Sequence, residues 1–164
     1  MITLKRIDGS TIISYPVSSI QEAVERAVEE KVDLSRINLS TVDLSGADLS
    51  GAKLDGSDLS GARLTYAWLG KASLNEATLH EVDFFRADLT FASMKRADLS
   101  YAFFVEANLS NSDLSYSDLS KTLFMGANME NSNLYKAILF RTNFIAAKLQ
   151  GMDLTGADLH KPKF

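Results

Sequence analysis

The sequence predicts an all-β solenoid, in which the backbone winds into stacked coils around one narrow core. The first observation is a five-residue period, because every fifth residue from Leu34 to Leu159 is Leu, Phe or Met, 26 times without interruption. The second observation is that the four Phe residues among these positions are spaced 20 residues apart. We call the large apolar position i, and we number the other positions of each repeat from i−2 to i+2.

A five-residue period fits neither common secondary structure. An α-helix turns about 100° per residue, so residues five apart would point about 140° away from each other. A strand alternates its side chains, so an odd period sends successive leucines to opposite faces. If the backbone instead turns a corner of about 90° every five residues, all i side chains point inward and four corners close a coil of about 20 residues.

The spacing of the Phe residues is an independent sign of the 20-residue coil. Phe84, Phe104, Phe124 and Phe144 fall in a single column if each coil contains four repeats. Aromatic rings in neighbouring coils can then stack on one another. We expect an internal Phe ladder with a structural role.

The remaining positions of the repeat also show a pattern. Position i−2 is usually small, position i−1 is often Asp or Asn, position i+1 is often Ser or Thr, and position i+2 is variable. Small residues fit beside one large side chain per corner. Asp and Asn side chains accept hydrogen bonds from backbone N–H groups in turns.

This A(D/N)LXX pattern resembles that of the pentapeptide-repeat family, and the resemblance covers residues 32–161. The resemblance implies a right-handed quadrilateral parallel β-helix. At 20 residues per coil, 26 repeats predict about 6.5 coils. Residues 162–164 are expected to form a short tail.

Residues 1–31 are predicted to form a cap on the first coil, made of a β-hairpin and an amphipathic helix. Residues 2–7 and 11–15 read as two strands joined by an Asp8-Gly9 turn. Ser19 followed by Glu22 predicts a capping box at the start of the helix. The apolar side of this helix is formed by Ile20, Ala23, Val24, Ala27 and Val28.

The composition limits the class of protein. A hydrophobic content of 46% and a charged content of 23% are typical of a folded protein, and the chain has no cysteine. No apolar run approaches the roughly 18 residues of a membrane span, and the first residues do not resemble a signal peptide. We therefore expect a cytoplasmic protein that does not bind membranes.

The sequence offers no constellation for catalysis. The two histidines, His80 and His160, both fall at i+1 and lie four coils apart, too far to share a metal ion. The abundant Ser and Thr residues have no histidine nearby to activate them. We expect no enzymatic activity, no metal, no cofactor and no small-molecule substrate.

Departures from the repeat at outward positions indicate where a function lies. Apolar residues replace polar ones on the face that carries the Phe ladder and at its preceding corner. The candidate interaction residues are Phe85, Phe103, Val105, Leu123, Met125, Phe140 and Ile145, with Tyr101 and Ile138 near the same corner. Because a large exposed apolar patch is unusual for a monomer, we expect a protein partner or a second copy in a homodimer.

One alternative function comes from the family resemblance. Some pentapeptide-repeat proteins, of the quinolone-resistance type, mimic DNA and bind type II topoisomerases such as gyrase. The chain has a net charge of −4, yet residues 121–164 carry six basic and three acidic residues. A DNA mimic needs a sustained negative field, so this alternative ranks second. Direct binding of nucleic acid is not expected, because the basic residues are dispersed.

Overall fold

The computed structural model describes all 164 residues. Strand β1 spans Ile2–Lys5, strand β2 spans Thr11–Tyr15, and helix α1 spans Ile20–Glu29. From residue 32 onward the chain contains no helix and no continuous strand, and it pairs with itself through isolated β-bridges.

The bridges show how the coils stack. They are parallel and join i−1 residues that are 20 positions apart, from Asn38 with Asp58 to Asn143 with Lys163. Backbone hydrogen bonds hold each pair, as where Asp58 N–H donates to the Ile37 carbonyl at 3.0 Å and Leu39 N–H donates to the Asp58 carbonyl at 2.8 Å. The 20-residue period predicted from the sequence is therefore confirmed.

Each corner of the coil is a tight turn. The N–H of residue i+3 donates to the carbonyl of residue i, as from Ile37 to Leu34 at 3.0 Å. Every i+2 residue has a positive φ, between 54° and 74°. A positive φ at the third residue alone defines a type II turn. The sequence did not reveal this requirement, because only seven of the i+2 residues are glycine.

The interior follows the predicted pattern of one large and one small side chain per corner. The i residues are fully buried from Leu34 to Phe144, and half of the 26 i−2 residues are buried alanines. Six of the buried i−2 residues are Ser or Thr, and their hydroxyls donate to backbone carbonyls, as from Thr122 Oγ1 to Leu99 O at 2.8 Å. No buried side-chain polar atom lacks a hydrogen-bond partner.

The Phe ladder is present and has one more ring than the sequence analysis expected. The rings of successive Phe residues from Phe84 to Phe144 stack at 4.6, 5.0 and 5.3 Å between centroids, with interplanar angles of 14° or less. Phe164 stacks on Phe144 at 5.3 Å, and Lys163 pairs with Asn143. Residues 162–164 therefore continue the coil and do not form a tail, because they supply the i−2, i−1 and i positions of a further repeat.

The predicted hairpin is present, but its turn differs from the prediction. Strand β1 ends at Lys5 and not at Ile7, because the connection is longer than a two-residue Asp-Gly turn. Gly9 N–H donates to the Arg6 carbonyl, Arg6 N–H donates to the Ser10 carbonyl, and Gly9 has a φ of 82°. This is the arrangement of a three-residue loop in which a glycine follows a tight turn.

The hairpin and helix α1 lie against the start of the coil. Arg6 forms an antiparallel bridge with Ile37, and Asn38 N–H donates to the Lys5 carbonyl at 2.9 Å. Helix α1 buries Ala23, Val24 and Ala27 in the same core as the leucines of the repeat. The first coil has no preceding coil to pair with, so β1 satisfies backbone groups that would otherwise lie at an open edge.

Ser19 caps the helix as predicted, although the capping box is incomplete. The Ser19 hydroxyl accepts from the Glu22 N–H at 3.1 Å. The Glu22 carboxylate accepts from Ser18, at 3.2 Å from the backbone N–H and 3.1 Å from the hydroxyl, and not from the Ser19 N–H. At the other end of the helix, Tyr15 donates to Glu30 at 2.7 Å, and burial together with this bond raises the pKa of Tyr15 to about 12.

The Asp and Asn residues at i−1 act at the corners, as predicted. Fifteen Asp and Asn side chains accept a hydrogen bond from the N–H two residues later, as from Ser45 to Asp43 at 3.0 Å. The Ser45 hydroxyl adds a second bond to Asp43 at 2.6 Å. Hydrogen bonds of this kind lower the pKa of Asp33, Asp43 and Asp153 below the ordinary value of 3.8.

The turn geometry predicts that Thr41→Gly stabilises the protein. Thr41 is exposed and has a φ of 59°, which is unfavourable for a β-branched residue. Relief of this strain should exceed the entropic cost of glycine and raise the free energy of unfolding by about 0.5–1 kcal/mol. Thr155→Gly is the matched control, because Thr155 occupies i+1 without a positive φ and should lose stability. Urea unfolding checks both, and a loss of stability in Thr41→Gly would contradict the turn assignment.

The corner carboxylates predict a loss of stability in acid. Because the pKa of Asp33, Asp43 and Asp153 is lower in the folded state, their contribution is complete above about pH 4 and declines as the pH falls through the folded values. The triple variant with Asn at these positions keeps the accepting oxygen and removes the titration. Urea unfolding between about pH 4 and pH 2.5 should therefore show a smaller decline in the variant. Equal declines would contradict this role.

Candidate interaction face

Two outward rows flank the Phe ladder on one side of the coil. The i−1 row contains Asp83, Phe103, Leu123 and Asn143 in successive coils. The i+1 row contains Phe85, Val105, Met125 and Ile145. We call the six apolar residues of these rows the apolar face, and it comprises Phe85, Phe103, Val105, Leu123, Met125 and Ile145.

Backbone pairing keeps both rows in register. In the i−1 row, Phe103 forms bridges with Asp83 on one side and Leu123 on the other. In the i+1 row, the carbonyls of Val105, Met125 and Ile145 accept from backbone N–H groups of the preceding coil at 3.0–3.1 Å. Successive side chains in each row are therefore about 4.8 Å apart, close enough to form a continuous surface.

The apolar face is open to solvent to different degrees along its length. Phe103 is 42% exposed, Met125 is 40% exposed and Ile145 is 45% exposed, whereas the other three residues are half-buried. Phe85, Phe103 and Val105 line a shallow depression of about 340 Å³ together with Asp83. An apolar side chain of a partner can pack into this depression.

Phe140, the seventh candidate residue, lies on the neighbouring side of the coil. It occupies the i+1 row of the Leu139 repeat, where its ring stacks on His160 at 5.4 Å. The Arg141 guanidinium also lies over the Phe140 ring, 5.3 Å from the ring centroid. Phe140 is therefore half-buried and separated from the apolar face by a corner.

One border of the apolar face is formed by the i+2 residues of the same repeats, and it contains polar and aromatic side chains. The Tyr66 ring meets the Phe85 ring edge-on at 5.6 Å, and the Arg86 guanidinium lies 5.1 Å from the centre of the Phe85 ring. Arg86 also donates to Glu106 at 2.7 Å, and this bond raises the pKa of Arg86 above its ordinary value. The side chains of this border are therefore held in place by contacts within the chain.

The opposite border is the i+2 row of the preceding side. It holds Glu81, Tyr101, Lys121 and Arg141 in successive coils, all with a positive φ. The Glu81 side chain is 61% exposed, and Lys121 lies 4.5 Å from the centre of the Tyr101 ring. Glu81, Lys121 and Arg141 were not among the predicted interaction residues, although their 20-residue spacing alone places them beside the face.

Other exposed aromatic residues lie elsewhere. Trp68 is 58% exposed in an i−1 row of the next side, between Asp48 and Asp88. Phe91 is 60% exposed at the corner that follows. Tyr116 is flanked by cations, with Arg96 at 5.2 Å from its ring. None of them adds to the two rows of the apolar face.

The structure shows no grouping of residues for metal binding. No three His, Cys, Asp or Glu side chains lie close enough together to hold a metal ion. The expectation that no hydroxyl has a histidine nearby is wrong for Ser100, because residues 20 apart are neighbours and His80 Nδ1 lies 2.9 Å from the Ser100 hydroxyl. This hydroxyl donates to Asp98 at 2.6 Å, and the His80 ring meets Tyr101 at 5.3 Å. The single helix of the fold is too short to cross a membrane.

The comparison with family models identifies the class of protein. The pentapeptide-repeat model matches in eight copies, over residues 30–61, 62–100, 87–131, 102–139 and 137–164. These matches span most of the chain, so the chain belongs to the pentapeptide-repeat family. Members of this family form right-handed quadrilateral β-helices and are generally non-enzymatic structural or interaction modules. A search of curated protein sequences gives no significant match.

Three solved structures illustrate the similarity. HetL from the cyanobacterium Nostoc sp. strain PCC 7120, a protein involved in the regulation of heterocyst differentiation, is 29% identical over 79% of this chain and 75% of its own, with a TM-score of 0.37. Rfr23 from the cyanobacterium Cyanothece 51142 is 32% identical over 62% of this chain and 58% of its own, with a TM-score of 0.39. QnrB1, a plasmid-mediated fluoroquinolone resistance protein, is 20% identical over 81% of this chain and 69% of its own, with a TM-score of 0.57. The likeness to QnrB1 supports the fold.

Proposed function

We propose that this chain is a non-enzymatic interaction module that docks a protein through the apolar face. The observation that carries the proposal is the alignment of six apolar side chains in two adjacent outward rows over four coils. Scattered surface hydrophobicity is common, but contiguous apolar surface is rare on monomeric proteins and marks interaction sites.

Covering the apolar face with a partner is favourable because it removes apolar surface from water. Each Å² of apolar surface removed from water contributes about 25 cal/mol, and Phe103, Met125 and Ile145 each keep at least 40% of their surface exposed. The backbone beneath them is fixed by hydrogen bonds to both neighbouring coils. Binding therefore orders little of the backbone, and more of the gain remains as affinity.

The hydroxyl groups of the repeat support a non-enzymatic role. The i+1 hydroxyls of Ser45, Ser60 and Ser100 each donate to the corner carboxylate of their own repeat at 2.6–2.7 Å. Ser100 also has His80 beside it, but the Ser100 proton is already engaged by Asp98. A nucleophile needs a base that can accept its proton, and a carboxylate engaged in two corner hydrogen bonds is poorly placed for that task. These groups serve the turns.

Binding to a topoisomerase as a DNA mimic is the weaker proposal. Eleven of the acidic residues sit at i−1, where the corner hydrogen bonds explain most of them. The i+2 row that contains Lys121, Arg141 and Lys161 is basic towards the end of the coil. A field that changes sign along the coil suits a DNA mimic poorly.

Charged substitutions in the apolar face should abolish docking without unfolding the coil. The double variant Val105→Glu, Leu123→Lys places both signs of charge at the centre of the face, and both side chains point outward. Burial of unpaired charge against a partner costs several kcal/mol, so proteins captured from an extract of the native cell should be reduced at least about tenfold. Quantitative mass spectrometry of the captured proteins measures this.

The matched control is Trp68→Lys, Phe91→Glu. It removes two exposed aromatic residues outside the apolar face and also leaves the net charge unchanged. The control should capture the same proteins as the natural chain. If the face variant and the control captured the same set in equal amounts, the proposed docking surface would be wrong.

A further inference from the structure

We propose that the apolar face is covered by a second copy of this chain, packed antiparallel. This inference rests on the proposed function and names the partner at the same surface. We refer to each coil on this side by its buried residue, as the Phe84, Phe104, Phe124 and Phe144 layers. The two-fold axis lies across the face, perpendicular to the direction of coil stacking, midway between the Phe104 and Phe124 layers.

The apolar residues match under this symmetry. The axis places each row opposite the same row in reverse order, with the Phe104 layer facing the Phe124 layer and the Phe84 layer facing the Phe144 layer. The facing pairs are then Phe103 with Leu123, Val105 with Met125, and Phe85 with Ile145, each formed twice. Every residue of the apolar face therefore meets another apolar residue, as a self-complementary two-fold interface requires.

The polar residues at the border match under the same operation. Asp83, at one end of the i−1 row, faces Asn143, whose amide can donate to the carboxylate. Glu81 faces Arg141 in the bordering i+2 row, which forms two opposite-charge pairs in the dimer. The Glu81 side chain is 61% exposed, and its one ion-pair contact within the chain is with His80 Nε2 at 3.5 Å. Arg141 forms no salt bridge within the chain.

A parallel two-fold dimer matches less well. It would place the i−1 row of one copy opposite the i+1 row of the other at the same layer. The Asp83 carboxylate would then face the Phe85 ring and lose its hydration without a new partner, which is costly. Glu81 would face Arg86, but Arg86 already donates to Glu106 at 2.7 Å.

The antiparallel interface is limited at its ends. Beyond the four layers, Arg63 of one copy faces Lys163 of the other, which are like charges, although Asp43 binds Arg63 at 3.3 Å within the chain. The contact therefore covers about four coils and falls near the lower limit for a specific interface, roughly 1,000–1,200 Å² in total. We expect a reversible dimer with a dissociation constant in the micromolar range.

The first experiment measures solution mass against concentration by sedimentation. The natural chain should change from monomer to dimer over micromolar concentrations. Glu81→Arg and Arg141→Glu should each weaken the dimer about tenfold, because each creates two like-charge pairs. The combined variant Glu81→Arg, Arg141→Glu should restore association to within about threefold of the natural chain. These residues are exposed and lie at positions where both Glu and Arg occur in other repeats, so the fold is retained.

The second experiment tests the direction of packing. The chain has no cysteine, so Phe85→Cys and Ile145→Cys each introduce a single thiol. When the two variants are mixed with a bis-maleimide that spans about 10 Å, the antiparallel dimer predicts cross-links between unlike variants. Like variants should react poorly, since their thiols are offset by three layers, about 14 Å along the coil.

The outcomes separate this inference from the proposed function. A monomer at all concentrations, or a dimer in which the combined charge variant fails to regain affinity, overturns the antiparallel dimer. Cross-links between like Phe85→Cys chains would also overturn it in favour of parallel packing. If the chain is monomeric while the Val105→Glu, Leu123→Lys variant still loses a captured protein that the control retains, the docking function stands with a different partner.

Discussion

The type II turn at each corner is the constraint on which the rest of the structure depends. It requires one residue with a positive φ in every repeat, and it closes with a hydrogen bond from residue i+3 to residue i. Because each corner takes five residues, the backbone meets itself again after 20, where parallel bridges form. The buried leucines, the Phe stack and the aligned outward rows all follow from that return.

The same geometry separates the requirements of the fold from those of the surface. Inside, the chain repeats every five residues, because each corner needs one large and one small side chain. Outside, a side chain neighbours the residues 20 positions before and after it. Polar residues at i−1 and i+1 can thus be exchanged for apolar ones in a single column without a change to the core. Phe103 and Leu123 lie above and below one another for this reason.

Much of the fold could be predicted from the sequence, because the period appears directly in residue types. The inward leucines, the corner role of Asp43 and the Phe column need only counting. The positive φ at i+2 could not be predicted in this way, since side chains such as Lys71 and Glu76 tolerate it at a cost that leaves little trace in composition. The β1 boundary was missed because an Asp-Gly pair is compatible with more than one loop length.

The candidate face could be predicted only in part, because some of its features depend on contacts between coils. Six apolar residues could be assigned to one side by their spacing. Phe140 lies around a corner, where contacts with His160 and Arg141 half-bury it. The borders depend on contacts between coils, such as Tyr66 with Phe85, which no linear pattern records. A 20-residue alignment of the charged i+2 residues is the signal that would have found Glu81 and Arg141.

The central claim is that the core follows a period of five residues and the docking surface a period of 20. It is tested most directly by sedimentation of a variant with one added repeat, Ala-Asp-Leu-Ser-Gly, between Asn111 and Ser112. This variant should still fold, with an unfolding temperature lowered by the loss of the Phe104–Phe124 stack. It should no longer self-associate, because Leu123, Met125 and Ile145 move to another side. An unfolded variant, or one that associates as the natural chain does, would contradict it.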